Sequence, residues 1–363
     1  MRYVLIITAL LFAAPSSAQT DLTLKVGQEL DTNPIRLTGE GSEAAAAARL
    51  VAAVDHTSDV GDGSLSIDSR ALGRLYYQAA TEDSLSLSLS SDLRGPVARR
   101  SAMGLSVSGR NRLERARDCA PDSTTACAVN QDYSSLRGGA VHSLQMGDVG
   151  WSLRADARTF AFKPNGAFSW YGPGGSTSVD YRAHPNVSLS GFYDLGVRHY
   201  RSDRERITTA NGLVSVEGER RVDRGQSVGT SVRWSHGSWS LGAEYLYQWN
   251  RSNSATKGYA RHLVEPSLTG IPFGELLIRV SARIARSSFD PRRAQDATTN
   301  IDEESRNRIS FVVEHPIAAD QLFFEAGWTL YRQALHETEG AGQSFSRSLA
   351  YLALTFRARG ERN

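Results

Sequence analysis

Arginines and carboxylates recur along this chain at every second position, opposite apolar residues. The pattern holds Arg70 and Arg74, Arg110 and Arg112, then Arg154, Asp156 and Arg158, then Arg233 and Glu244, Arg279 and Arg283, and Glu325. Alternation with period two marks a strand with two unlike faces. Charges of both signs gathered on one face of a closed wall hydrate a passage and bias the ions or acidic polymers that cross it. Arg182, Arg198 and Arg308 extend the cationic set, and Asp68, Asp180, Asp194, Glu275 and Glu314 the acidic one. Opposed charges also pair across strands and keep a wall wet, so the pattern implies no more than a modest preference for anions.

Other residues with chemical potential are poorly placed for it. A lipid-hydrolysing His and Ser on one strand must share a face, but His142 and Ser143 are adjacent and point to opposite faces. His236 and Ser238 have the spacing but fall in a tight reversal. No catalytic residue is assigned, and the chain is not expected to be an enzyme. Asp302, Glu303 and Glu304 read as a solvated loop rather than a divalent cation site. No metal or cofactor is expected. Cys119 and Cys127, in the polar segment RDCAPDSTTACAVNQ, have no histidine close in sequence and read as a structural disulfide. Closing that small loop is worth about 2.5 kcal/mol on the chain-entropy estimate.

Composition narrows the setting. The 363 residues carry a formal charge of +2, so there is no basic excess and nucleic acid is not an expected partner. Lysine occurs only at 25, 163 and 257, leaving arginine as the cation that forks onto carboxylate and phosphate. A high genomic G+C content produces the same bias. Residues 1–18 read as a secretory signal peptide: Arg2 precedes an apolar stretch from Val4 to Ala14, and Ser16 and Ala18 are the small residues of a cleavage site. No other run approaches the ~20 apolar residues that a membrane helix needs. Residues 19–363 show no linker or composition break and read as one domain.

The elements that must position the charges are strands. Residues 84–93, SLSLSLSSDL, alternate plainly, and 276–284 set Leu276, Ile278, Val280, Ala282 and Ile284 against charged neighbours. In the central stretch Val228, Thr230, Val232 and Trp234 share one face, as do Trp239, Leu241, Ala243, Tyr245, Tyr247 and Trp249, with Leu246 the exception. Ser235-His236-Gly237 reads as the turn between them. Trp234 and Trp239 flank that turn, Trp249 closes the far end, and Trp328 lies on a later strand; all four are candidate interface aromatics. Candidate strands number about 16, with 14 and 18 the neighbouring even counts.

Their connections alternate in length. Those after strands 1, 5, 7, 9, 13 and 15 read as long and polar, and those after 6, 8, 10, 12 and 14 as short. Strands 3 and 11 have connections short for their side, and strand 4 a rather long one. A soluble sandwich has no reason to collect its long loops at one end, whereas an outer-membrane barrel does. The expected fold is all-β, a transmembrane antiparallel up-and-down barrel. At this strand number the lumen is expected to hold water, as a porin-like channel does.

The signal peptide, the Asp31-Thr32-Asn33-Pro34 segment that closes the first strand, and the barrel pattern over the rest of the chain resemble a group of Gram-negative outer-membrane β-barrels. Barrels of that group often accompany exopolysaccharide-assembly or secretion machinery. The resemblance implies residence in the outer membrane, contact with its lipid and lipopolysaccharide, insertion by the barrel assembly machinery, and polysaccharide export components as partners. The expected role is passive passage of hydrophilic solutes or glycan. The competing expectation is a structural or adhesive surface barrel whose loops bind partners.

Overall fold

The computed structural model describes residues 18–32, 44–77, 83–114, 132–163, 166, 169–209, 212–254, 258–289, 307–318, 321–333 and 345–360. In chain order the strands are β1 (Gln19–Asp31), β2 (Ala45–Val60), β3 (Gly63–Tyr76), β4 (Ser84–Ala98), β5 (Ser101–Glu114), β6 (Tyr133–Met146), β7 (Val149–Phe162) and β8 (Trp170–His184). They continue as β9 (Val187–Thr209), β10 (Gly212–His236), β11 (Trp239–Ser252), β12 (Tyr259–Gly270), β13 (Leu277–Phe289), β14 (Asn307–Ala318), β15 (Leu322–Gln333) and β16 (Phe345–Arg359). Each pairs antiparallel with its sequence neighbours, and β1 pairs with β16, so the sheet closes into a 16-strand barrel. Closure follows from the solvent: an unpaired strand edge in hydrocarbon leaves a row of amide and carbonyl groups that nothing can satisfy.

The register assigns the two faces. Lys25 of β1 meets Glu325 of β15, Arg74 of β3 meets Glu29 of β1, and Arg158 of β7 meets Asp194 of β9. Each pair reaches over an intervening strand, which side chains do on the concave side of a curved sheet. The residues in register with these pairs therefore face the lumen. The opposite parity carries Leu24 and Val26 on β1, Leu85, Leu87 and Leu89 on β4, and Met103, Leu105 and Val107 on β5, all exposed to as much as 62% for Val26 and Leu105. Apolar side chains this open on a closed wall form the band that lipid covers.

The two-residue turns at 61–62, 99–100, 147–148, 185–186 and 237–238, the longer connection at 271–276 and the strand ends at Ala318 and Leu322 lie at the barrel end that also holds Gln19 and Arg359. The connections at the other end are mostly longer. Short turns mark the periplasmic end. Gly237 leads the β10–β11 turn with φ of 55°, a left-handed conformation in which a Cβ is strained. Gly237→Ala is expected to cost about 1 kcal/mol, readable as a lower urea midpoint of the refolded barrel.

The structure moves several boundaries expected from sequence. The turn of the central hairpin is Gly237-Ser238, with His236 paired to Trp239 and Ser235 to Ser240, because the primed two-residue turn needs its glycine in first place. β4 runs on to Ala98, so the connection after it is a tight turn at Arg99-Arg100 and not a long one. Glu275 belongs to the turn before β13, beside Gly274 with φ of 56°, and not to a strand face. The connection after β9 is no long loop: β9 and β10 continue to 23 and 25 residues and stay paired up to Thr209 and Gly212. A polar segment can remain in a ladder outside the membrane, where water accepts both of its faces.

Residues 1–17, Cys119 and Cys127, and Asp302, Glu303 and Glu304 lie outside the described residues.

Candidate functional site: the lumen wall

Strand parity alone places most of the sequence-derived residues. Arg70 and Arg74 stand on the lumen face of β3, Arg110 and Arg112 on β5, and Arg154, Asp156 and Arg158 on β7. Arg233 and Glu244 stand there on β10 and β11, Arg279 and Arg283 on β13, and Glu325 on β15. Trp234, Trp239, Trp249 and Trp328 take the opposite parity and point to lipid. Trp234 and Trp239 flank the periplasmic turn and Trp249 lies toward the other end of β11, whereas Trp328 stands in the middle of β15.

The lumen wall is not uniform. Around the β1–β16 seam its charges are sealed. Asp31 is 0% exposed and accepts from Arg347 Nε at 3.0 Å and from the Tyr76 hydroxyl at 2.7 Å. Glu29, 1% exposed, has Arg49 Nη1 at 3.3 Å and Arg74 Nε at 3.0 Å. Glu325 accepts from Lys25 Nζ at 2.6 Å and from the Tyr351 hydroxyl at 2.5 Å, and Glu314 from Arg357 Nη2 at 2.5 Å. Ala45, Ala47, Val51, Leu349 and Ala353 are buried on the same face. This region is a packed interior built from charge and small side chains.

Away from these packed pairs the wall is more open. Asp68 and Arg70 on β3 and Arg110 on β5 face inward well inside their strand ends yet are exposed, so the water they meet lies inside the barrel; Ser66, Arg182, Arg233 and Arg279 face inward and are exposed nearer the short-turn mouth. Between them, Asp156 accepts from Arg137 Nη2 and Arg158 Nε, both at 2.5 Å, and Arg158 Nη2 reaches Asp194 at 2.8 Å. Arg154 donates to the Ser106 hydroxyl. Lumen arginines outnumber lumen carboxylates, and several, Arg70 and Arg110 among them, show no ion pair among the described residues.

Two lumen features were not read from sequence. Leu246, the odd residue of β11, pairs in register with Leu263 of β12, and both are buried, at 9% and 7% exposure. Phe192 joins them from β9: a Cβ on Gly229 would come within 2.4 Å of its ring, so that glycine makes the room. The second feature is aromatic. The segment FKPNGAFSWYGPGG reads as a loop, but β7 keeps its ladder to Phe162 and β8 begins at Trp170. Phe160 and Phe162 continue the parity of Arg154, Asp156 and Arg158, a signal already present in the even positions. With Tyr133 and Trp170 they line the lumen near its outer end.

The remaining candidates separate. Ser143 donates to the Ala102 carbonyl on the lumen side. His142 points outward, with Nε2 2.7 Å from the Ser101 hydroxyl and its ring edge-on to Trp151, and among the described residues no carboxylate joins that pair. His236 stacks on Trp234, while Ser238 donates to the Ile271 carbonyl. None of these arrangements assembles a nucleophile, a base and an orienting group.

No family model matches this chain, and no curated protein does. Among solved structures the chain is similar to a loop-deletion mutant of OmpT, an outer membrane protein of Vibrio cholerae, at 9% identity over 94% of this chain and 100% of that one, with a TM-score of 0.47. It is also similar to the FrpB iron transporter from Neisseria meningitidis (10% identity, 94% and 70% covered, TM-score 0.46). The P. putida toluene transporter TodX is a third (11% identity, 96% and 92% covered, TM-score 0.39). At these scores the likenesses carry no argument. The closed antiparallel wall, its apolar exterior band, its charged interior and the short turns gathered at one end define the class by themselves. The chain is an outer-membrane β-barrel of the Gram-negative type.

Proposed function

We propose that the barrel is a passive pore for hydrophilic solutes, with glycan as the fitting cargo and the outlet of an exopolysaccharide pathway as its setting. One observation carries this reading: inward-facing Asp68, Arg70 and Arg110 are exposed well inside a closed wall, which supports a lumen partly open to water. A barrel of this strand number is wide enough to keep such a passage. The surplus of lumen arginines supports a preference for anions.

Conductance of the refolded protein in a planar bilayer tests the pore: discrete open steps are expected, and a silent membrane with correctly folded protein ends the reading. Under a KCl gradient the reversal potential should report anions as the better permeant ion. Arg70→Glu with Arg233→Glu should lower the anion-to-cation permeability ratio by roughly twofold at moderate salt, where charges a Debye length apart are screened.

A second reading, a surface barrel that engages a partner, rests on β9 and β10, whose 23 and 25 residues far exceed the ~9–11 that a spanning strand needs. Deleting 203–218 should abolish partner binding under this reading and leave the conductance steps in place under the first.

A further inference from the structure

We infer that the outer part of the lumen holds a binding site for acidic sugar rings, formed by an aromatic rail on β6, β7 and β8 and the arginines beside it. The inference rests on the pore reading for its biological sense but not for its geometry. Phe160 and Phe162 stack with centroids 6.5 Å apart and planes within 10°. Phe160 and Trp170 stack at 6.0 Å and 16°, and Tyr133 lies 5.2 Å from Phe160. All four have lumen parity and are half-buried. In a soluble core such a cluster would be covered; here it faces the passage.

Aromatic rings in a polar lumen have a specific use. A pyranose presents a patch of C–H groups on each face and hydroxyls around its rim, so it lies against an aromatic face while its edge hydrogen-bonds. The edge partners are present. A recess of about 340 Å³, near the small end of the range for ligand pockets, adjoins the rail and is lined by Trp170, Arg110 and the hydroxyls of Ser88, Ser90, Ser108 and Ser135. Asp68 supplies a further acceptor there. Hydroxyls both donate and accept, which suits a rim of sugar hydroxyls of unspecified orientation.

The charge of the sugar follows from two guanidiniums. Arg110 sits 5.9 Å from the Tyr133 ring centroid and Arg198 5.2 Å from that of Trp170, and neither makes an ion pair among the described residues. Neighbouring Arg137 and Arg158 are already committed to Asp156. A guanidinium beside an aromatic face still has N–H groups to spare, and a carboxylate accepts two of them at once. A sugar stacked on the rail would bring its carboxylate to that edge. A hexuronate unit of an acidic polysaccharide therefore fits both halves of the site.

Oligogalacturonate and neutral maltohexaose, added to the long-loop side of single channels in a planar bilayer, test the inference. Oligogalacturonate should interrupt the current in a concentration-dependent way, with a half-blocking concentration roughly tenfold below that of maltohexaose, the scale of one charge-assisted contact. Trp170→Ala should raise the half-blocking concentration roughly tenfold, Trp170→Phe less, and Tyr171→Ala, on the lipid face beside it, not at all. Arg110→Gln should remove the preference for the acidic sugar. Open channels that neither oligosaccharide blocks, equal block by both, or block unchanged in Trp170→Ala would each overturn the inference while the pore stands. Absence of open steps would sink the pore instead. The site is then read by tryptophan fluorescence of the detergent-folded protein, where saturable quenching by oligogalacturonate, lost in Trp170→Phe, supports it and no change overturns it.

Discussion

Asp31→Ala is expected to destabilise the folded barrel by about 3–5 kcal/mol, the cost of stranding one member of a buried ion pair. The carboxylate is fully buried and is held by Arg347 and Tyr76, so its loss takes the buried counter-charge from a guanidinium only 4% exposed. Urea unfolding of protein folded into vesicles, followed by tryptophan fluorescence, reads the change. The matching test is the double replacement Asp31→Leu with Arg347→Met, which removes both charges and should recover most of the loss, because apolar isosteres commonly match or exceed buried pairs. A double variant as weak as the single one would mean that packing at this point, and not charge pairing, holds the seam.

The second large effect separates the two faces of one strand. Leu87 and Ser88 are neighbours on β4, 42% exposed to the outside and half-buried on the lumen side respectively. Leu87→Arg should cost about 2 kcal/mol, between the interface and midplane values for an arginine facing lipid, and Ser88→Arg roughly 1 kcal/mol or less. The same unfolding assay serves both. Equal costs would contradict the assignment of inside and outside around the whole wall, since the register ties every other strand to β4.

Much of this architecture is legible in the chain because a membrane barrel uses its solvent twice. Lipid outside and water inside impose opposite demands on successive residues, so faces such as Leu85, Leu87 and Leu89 against Ser84, Ser86 and Ser88 show in the plain order of letters. Strand ends are less visible, since beyond the lipid band both faces meet water and alternation loses its meaning. That is why the upper parts of β9 and β10 read as loop. Pairings are invisible for another reason. Asp31 and Arg347 are 316 positions apart, and Leu246 finds Leu263 only through the register, so an apolar residue on a polar face looks like a flaw until its neighbour is known. The aromatic rail falls between these cases: Phe160 and Phe162 keep the lumen parity, but the glycines and proline that follow them mask it.

The seam of sealed charges has one more consequence. Fifteen of the sixteen strand pairings join segments consecutive in the chain, whose connecting turn or loop limits how far they can slide; β1 and β16 alone have none. A slip of one residue there would turn Lys25 and Asp31 away from their partners across the seam, and a slip of two would displace them by about 6.8 Å from those partners. Lys25 with Glu325 and Asp31 with Arg347 form together only in the observed alignment. They proofread the closing of the barrel, in place of the hairpin that the two ends of the chain cannot share.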